Sequence, residues 1–330
     1  MAALSDRLFL ITVLLDAMAM VAWAVDLAFR RREVPIIRLD AVPASATVAP
    51  ARQLVGAGAP VRGGRESGPV PPAAAVPARA EGGADRWGLA ARAALVLTCL
   101  GWLVHLATIV TRGLAAHRVP WGNMYEFSTV VAFVAVTAFL VLLVRERARW
   151  LGVFVMLPAV LYLGFAGVVL YARAAPLVPA LNSYWLKIHV VAAMSATGMF
   201  FVSGIAAILY LVKLRRPSGP LMTRLPSVER LDRVTYGVIA LAFPIWTFAV
   251  IAGAIWAESA WGRYWGWDPK ETWSFITWVI YAGYLHARAT AGWKGKRAAW
   301  FAVAAFAALI INYYVVNLYI VGLHSYAGVK

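Results

Sequence analysis

Four tryptophans, two carboxylates and a proline crowd into residues 261–273, W-G-R-Y-W-G-W-D-P-K-E-T-W. Trp261, Trp265 and Asp268 stand at i, i+4 and i+7, which puts them on one face if the stretch is helical. Asp268 reads as an N-cap, Pro269 as the first helical residue and Glu271 as the capping-box partner. A long helix then begins here, with its unpaired backbone N–H groups directed at an aromatic patch. Indoles stack flat π-systems and a helix N-terminus favours negative charge, so the stretch suits a flat, apolar ligand that carries acidic groups. A belt of interfacial tryptophans, common in membrane proteins, is the plainer reading of the same indoles.

Five histidines complete the inventory. Neutral imidazole ligates iron well, and His189 and His324 could hold a flat macrocycle from its two faces if the fold brings them together. Two unrelated interfacial histidines satisfied by water are the competing explanation, because nothing local in the sequence joins them. His286 follows Asp268 by 18 residues, about 27 Å along a continuous helix. An ionisable side chain at that depth in a membrane is a functional candidate, and an interfacial residue beside Arg288 is the alternative. His105 reads as a packed helix residue and His117 as a solvated loop residue. The stretch 120–126, P-W-G-N-M-Y-E, turns at Pro and Gly and then starts a helix capped by Asn123 and Glu126. It is a candidate wall of the same site.

The elements that must position these residues follow from composition. Of 330 residues, 62% are hydrophobic and only 14% charged, with a net charge of +16. That excludes an ordinary soluble domain. Eight apolar spans long enough to cross a bilayer are expected at 8–29, 93–111, 122–144, 150–171, 186–212, 234–257, 269–287 and 298–322. The fold class is therefore all-α, a polytopic membrane protein with about eight transmembrane helices. The first span is read as retained, because its positive cluster Arg30, Arg31, Arg32 follows the apolar run. Asp26 can pair with Arg30 one turn on, and Asp16 should face a neighbouring helix. Residues 33–87, rich in Ala, Pro, Gly and Arg, are expected to form a disordered cytoplasmic linker. This separates a first transmembrane helix, 1–32, from a transmembrane domain over 88–330 with the Trp-rich loop at 258–273.

Loops 30–92, 145–149, 213–233 and 288–297 hold 23 of the 31 Lys and Arg. The tendency of basic loops to stay in the cytoplasm puts both termini outside, with the Trp-rich loop, His189 and His324 on that outer side. Basic loops that set topology account for the charge, and no nucleic-acid partner is expected. The single cysteine, Cys99, allows no internal disulfide, CxxC pair or CxxCH haem attachment.

Residues 261–274 resemble the WWD motif of the haem-handling membrane proteins of cytochrome c maturation. The continuation I-T-W-V-I-Y-A-G-Y-L-H-A-R (276–288) and the segment P-W-G-N-M-Y-E-F (120–127) extend the match. The chain is most similar to the CcsA/ResC branch of the system II pathway, over roughly 93–326. The resemblance implies haem b as the group handled, with His189 and His324 as axial ligands at the outer face. It implies that Trp261, Trp265, Trp267, Asp268 and Trp273 hold that haem against an incoming protein. It also implies that His286 serves an inner haem site whose second ligand comes from a ResB-type membrane partner. The implied activity is that of a holocytochrome c synthase subunit in a bacterial plasma membrane or a thylakoid-type membrane. The implied partners are the ResB-type protein, apocytochrome c and a thioredoxin-like thiol reductant. No catalytic acid or base is assigned. A haem exporter or chaperone of the CcmC type, without ligation activity, is the alternative.

Overall fold

A computed structural model describes residues 1–29, 87–176 and 183–324. Among them the chain forms helices α1 (Ala2–Phe29), α2 (Leu89–Ala116), α3 (Met124–Glu146), α4 (Gly152–Val168), α5 (Tyr184–Arg215), α6 (Val228–Trp261), α7 (Pro269–Ala289), α8 (Lys296–Ile310) and α9 (Val316–Tyr319). A 3-10 turn, Arg149–Leu151, leads into α4, and one π-helical turn, Ile311–Val315, joins α8 to α9. The expected linker lies outside the described residues except for Trp87, which packs edge-on against Trp23 and under the Arg149 guanidinium.

Among the described residues, seven helical stretches are long and apolar enough to cross a membrane, in keeping with an all-α polytopic membrane protein. The span expected at 269–287 forms α7, whose 21 residues reach about 31 Å. It is less apolar than the others because its first turns carry Lys270, Glu271 and Ser274, which face a cavity described below.

Antiparallel pairs build the bundle. Helix α1 lies along α2, α5 along α6, and α7 on α8, while α3 packs between α4 and α5. Short polar residues tie α1 to α2: the Trp23 indole donates to Thr98 (3.0 Å), the Thr12 and Thr108 hydroxyls meet at 3.3 Å, and Ser5 donates to the Thr108 carbonyl. Asp16 faces the neighbouring helix, as expected. It is buried against Gly101, where a Cβ would stand 2.6 Å from its Oδ1.

The two ends of the bundle are wired differently. At one end Arg149 pairs with Asp26 (2.8 Å), Arg288 with Asp232 (2.7 Å), and Arg224 and Arg230 donate to the terminal carbonyls of α1 and α3. The partner of Asp26 in this set is Arg149; Arg30 lies outside the described residues. These contacts gather the arginine-rich loops into one layer. At the other end the Glu126 carboxylate, fully buried, accepts from Arg112 (3.0 Å), Arg118 (2.7 Å) and the Gly122 N–H (2.8 Å).

Candidate functional site

The Trp-rich stretch is not helical throughout. Gly262, at φ +71°, ends α6 in a left-handed cap whose N–H donates to the Glu258 carbonyl (2.8 Å). Residues 262–268 are loop, so the expected i, i+4, i+7 face for Trp261, Trp265 and Asp268 is not formed. The reason is local: glycine reaches positive φ without steric cost and stops the helix there. The other half of the expectation holds. Asp268 caps α7, Pro269 opens it, and the capping box with Glu271 is complete. Glu271 Oε2 accepts from the Gly266 and Asp268 N–H groups (2.8 and 3.1 Å), which folds the loop back over the helix start.

Asp268 does more than cap. Its Oδ1 accepts the Leu323 N–H (2.8 Å) and its Oδ2 lies 2.9 Å from His324 Nδ1. Gly322 makes this approach possible, since a Cβ there would stand 2.8 Å from the carboxylate. Burial acts to raise the Asp268 pKa, but the His324 ring and the Leu323 and Lys270 N–H groups outweigh it and hold the carboxyl at about 2. An ionised carboxylate can only accept, so His324 Nδ1 carries the proton and the ring lone pair falls on Nε2. Burial lowers the His324 pKa, against the pull of Asp268.

His189, in the second turn of α5, is fixed in the same tautomer by a different group. Its Nδ1 lies 2.7 Å from the Ala249 carbonyl of α6, which can only accept. Gly253 makes room for the ring: a Cβ there would stand 2.6 Å from Nδ1. The His189 ring is parallel to the Trp256 indole within 10°, with centroids 6.4 Å apart. His324 meets the same indole edge-on at 6.2 Å and Trp261 at 4.9 Å. Both imidazoles therefore pack against one tryptophan, and their separation cannot exceed the sum of those two centroid distances.

Both histidines line one open-sided cavity with about 1270 Å³ of empty space, its mouth included. Ala249, Gly253 and Ala257, one turn apart on α6, give it a flat wall of small residues. Trp121, Trp246, Trp256, Trp261 and Trp265 supply indoles around it. The 120–126 segment is both a capped helix start and a wall. Asn123 Oδ1 accepts the Glu126 N–H (2.9 Å), while Trp121, Gly122, Asn123 and Met124 border the cavity.

Of the residues singled out by sequence, His189, His324, Trp261 and Trp265 meet at this cavity, and Asp268 orients His324. Trp267 is 63% exposed and at φ +58°, and neither it nor Trp273 belongs to the lining. His286 is exposed in the last turn of α7, away from the cavity. His117 is the left-handed C-cap of α2, and His105 is buried edge-on against Phe133. Sequence reading missed Trp256, Ala249, Gly253, Lys270, Asn312 and Tyr313. The alanine and glycine ladder on α6 and the lysine beside the motif were the only signals available.

Helices threaded through a membrane, with two tautomer-fixed imidazoles sharing an indole-walled cavity at one end, define a polytopic membrane protein built around a paired-histidine site. Residues 121–324 match the family described as cytochrome C assembly protein. The cytochrome c biogenesis protein CcsA of Trieres chinensis is 34% identical over 250 residues, covering 66% of this chain and 80% of that protein. Those of a Picosynechococcus species and of Porphyra purpurea are also 34% identical, covering 67% and 71% of this chain and 84% and 86% of theirs. The chain belongs to the CcsA family of cytochrome c assembly proteins, and its role lies in cytochrome c biogenesis and haem handling.

Proposed function

We propose that this protein is the haem-presenting subunit of a cytochrome c synthase. It holds haem b between His189 and His324 and offers it to apocytochrome c, together with a ResB-type partner, on the extracytoplasmic side of the membrane. The observation that carries this reading is the pair of imidazoles, each with Nδ1 committed to an acceptor and its lone pair on Nε2, lining one cavity. That donor set suits a low-spin iron porphyrin. The flat α6 wall and the surrounding indoles suit its apolar faces.

The residues here position the substrate. Asp268 and the Ala249 carbonyl fix ring orientation and raise ligand basicity, as partners behind a ligating histidine do. A CxxCH segment then exchanges its own histidine for one of the two. Each thiol adds across one haem vinyl group: a carbon–sulfur bond forms, the thiol hydrogen goes to the terminal vinyl carbon, and no oxidant is consumed. Holding thiol and vinyl together can contribute about 7 kcal/mol or more toward the barrier. His286, exposed at the opposite end of α7, is suited to sharing an inner haem with a partner chain.

Coexpression with a ResB-type protein and an apocytochrome, in cells lacking their own maturation system, tests the synthase reading. Covalent haem on the cytochrome is expected; haem bound to this protein without any covalent product would favour export or chaperoning instead. In parallel, His189→Gly and His324→Gly should each lose the bis-histidine absorption spectrum and regain it in part with added imidazole. Unchanged spectra in both variants would remove the ligand assignment.

A further inference from the structure

One wall of the cavity carries a basic side chain that the imidazoles do not explain. Lys270, second residue of α7, lines the cavity, and its Nζ donates to the Asn312 carbonyl (3.0 Å) and to Asn317 Oδ1 (2.9 Å) while lying 5.6 Å from the Tyr313 ring centroid. An ammonium has three donors and these contacts use two. No carboxylate lies within ion-pair distance of Nζ among the described residues. Asp268 is committed to His324, Leu323 and the Lys270 backbone N–H. Glu271, the acid on the same wall, is occupied by two loop N–H groups and sits 3.5 Å from Arg263. An ammonium so placed, away from bulk water and with no carboxylate paired directly to it, is costly unless an anion joins it. A second donor of the cavity lining is also unmet: the buried Trp121 indole N–H has no acceptor.

We propose that Lys270, with the Asn312 and Asn317 groups that hold it, is a carboxylate-recognising subsite. It pairs with a propionate of the haem and so sets the in-plane orientation of the macrocycle. This rests on the haem reading of the cavity. The two propionates of protoporphyrin share one edge and the vinyl groups lie toward the other. Anchoring an acidic edge at Lys270 turns the vinyl-bearing edge away from α7, where attacking thiols must find it. The subsite thus selects one rotation of an otherwise nearly symmetrical disc, which axial imidazoles alone do not distinguish.

The test is an absorbance titration of the full-length protein, in detergent, with iron protoporphyrin IX and with its dimethyl ester. The ester keeps the iron and the vinyls but carries no carboxylate. Wild type is expected to bind the free acid about ten- to a hundredfold more tightly than the ester, the range of a charge-assisted hydrogen bond. K270M should lose that preference while binding the ester like wild type, and K270R should keep most of it. Equal affinity of wild type for both forms, or a preference that survives in K270M, overturns the subsite and leaves the histidine assignment standing. A wild type that binds neither form overturns the haem reading itself. If K270M binds neither, K270Q, which keeps donors but no charge, is read in the same two arms, and retention of the preference there also overturns the proposal.

Discussion

Asp268 serves two structures at once: it begins a helix and fixes the proton on a histidine. The two roles separate in Asp268→Asn, because asparagine caps a helix about as well as aspartate. Helix α7 should persist in that variant, while His324 loses its carboxylate. Haem affinity should fall about 10- to 100-fold, as when a partner behind a metal ligand is removed, and the haem reduction potential should rise. Equilibrium haem titration and redox titration read both. The carboxyl is held at about 2 against an ordinary 3.8, so its folded-state pKa is depressed. Its stabilising contribution is then complete above the ordinary value and is lost as pH falls toward 2. The difference in melting temperature between wild type and Asp268→Asn should be constant near neutrality and shrink below about pH 4. A difference independent of pH would remove the Asp268–His324 coupling.

Helix ends were legible and helix contacts were not. Asp268–Pro269–Glu271 and Asn123 follow rules that act within four residues, and both N-caps are present where the sequence puts them, whereas the Glu126 carboxylate, expected to close a box with Asn123, turns to Gly122, Arg112 and Arg118. The shared face of Trp261 and Trp265 failed for an equally local reason, Gly262, whose C-cap signal is plain in hindsight. What could not be read is the face of α6. The carbonyl that orients His189 belongs to Ala249, 60 residues away, and a backbone acceptor leaves no trace in side-chain types. The ladder Ala249, Gly253, Ala257 looks like ordinary close helix packing until a ring is found lying on it. Gly253→Val tests that ladder. A branched side chain where a single Cβ already approaches His189 Nδ1 to 2.6 Å must displace the imidazole. Haem affinity should drop about 10- to 100-fold with the helical circular dichroism unchanged. Wild-type affinity would mean that the ring need not sit where it does.

At the scale of the whole molecule, charge and contacts agree on two ends. The loops that sequence grouped by their Lys and Arg content are the ones that Asp26–Arg149, Asp232–Arg288 and the Arg224 and Arg230 contacts draw together. Which end faces the cytoplasm follows from the bias of basic loops alone, and it can be measured. In a Cys99→Ser background, chosen because Cys99 is exposed, a cysteine at Tyr184 should react with a membrane-impermeant maleimide added to intact spheroplasts. One at Lys294 should react only after lysis. Both positions are exposed and lie at opposite ends of the bundle. The reverse pattern would invert the topology and move the histidine cavity to the cytoplasmic side. Hydropathy and charge made the bundle readable because the bilayer forces nearly every crossing into a helix. The cavity depends on which helices meet, and that information lies in pairs of residues far apart in the chain.

The single widened turn between α8 and α9 makes this cavity sensitive to chain length. Ile311–Val315 accommodates one residue more than an α-helix would over the same rise, and it sets the phase of everything after it. Asn312 and Tyr313 lie within that turn, Asn317 in the next, and His324 beyond. Deleting Ile311 should therefore close the turn to a regular α-helical pitch and leave the tail close to its present phase, so the bis-histidine haem spectrum should persist. Inserting one alanine after Val316, beyond the loose turn, should instead swing the tail by about 100° about its axis and carry the last imidazole off the indoles, leaving a folded, membrane-inserted protein with a mono-histidine haem spectrum.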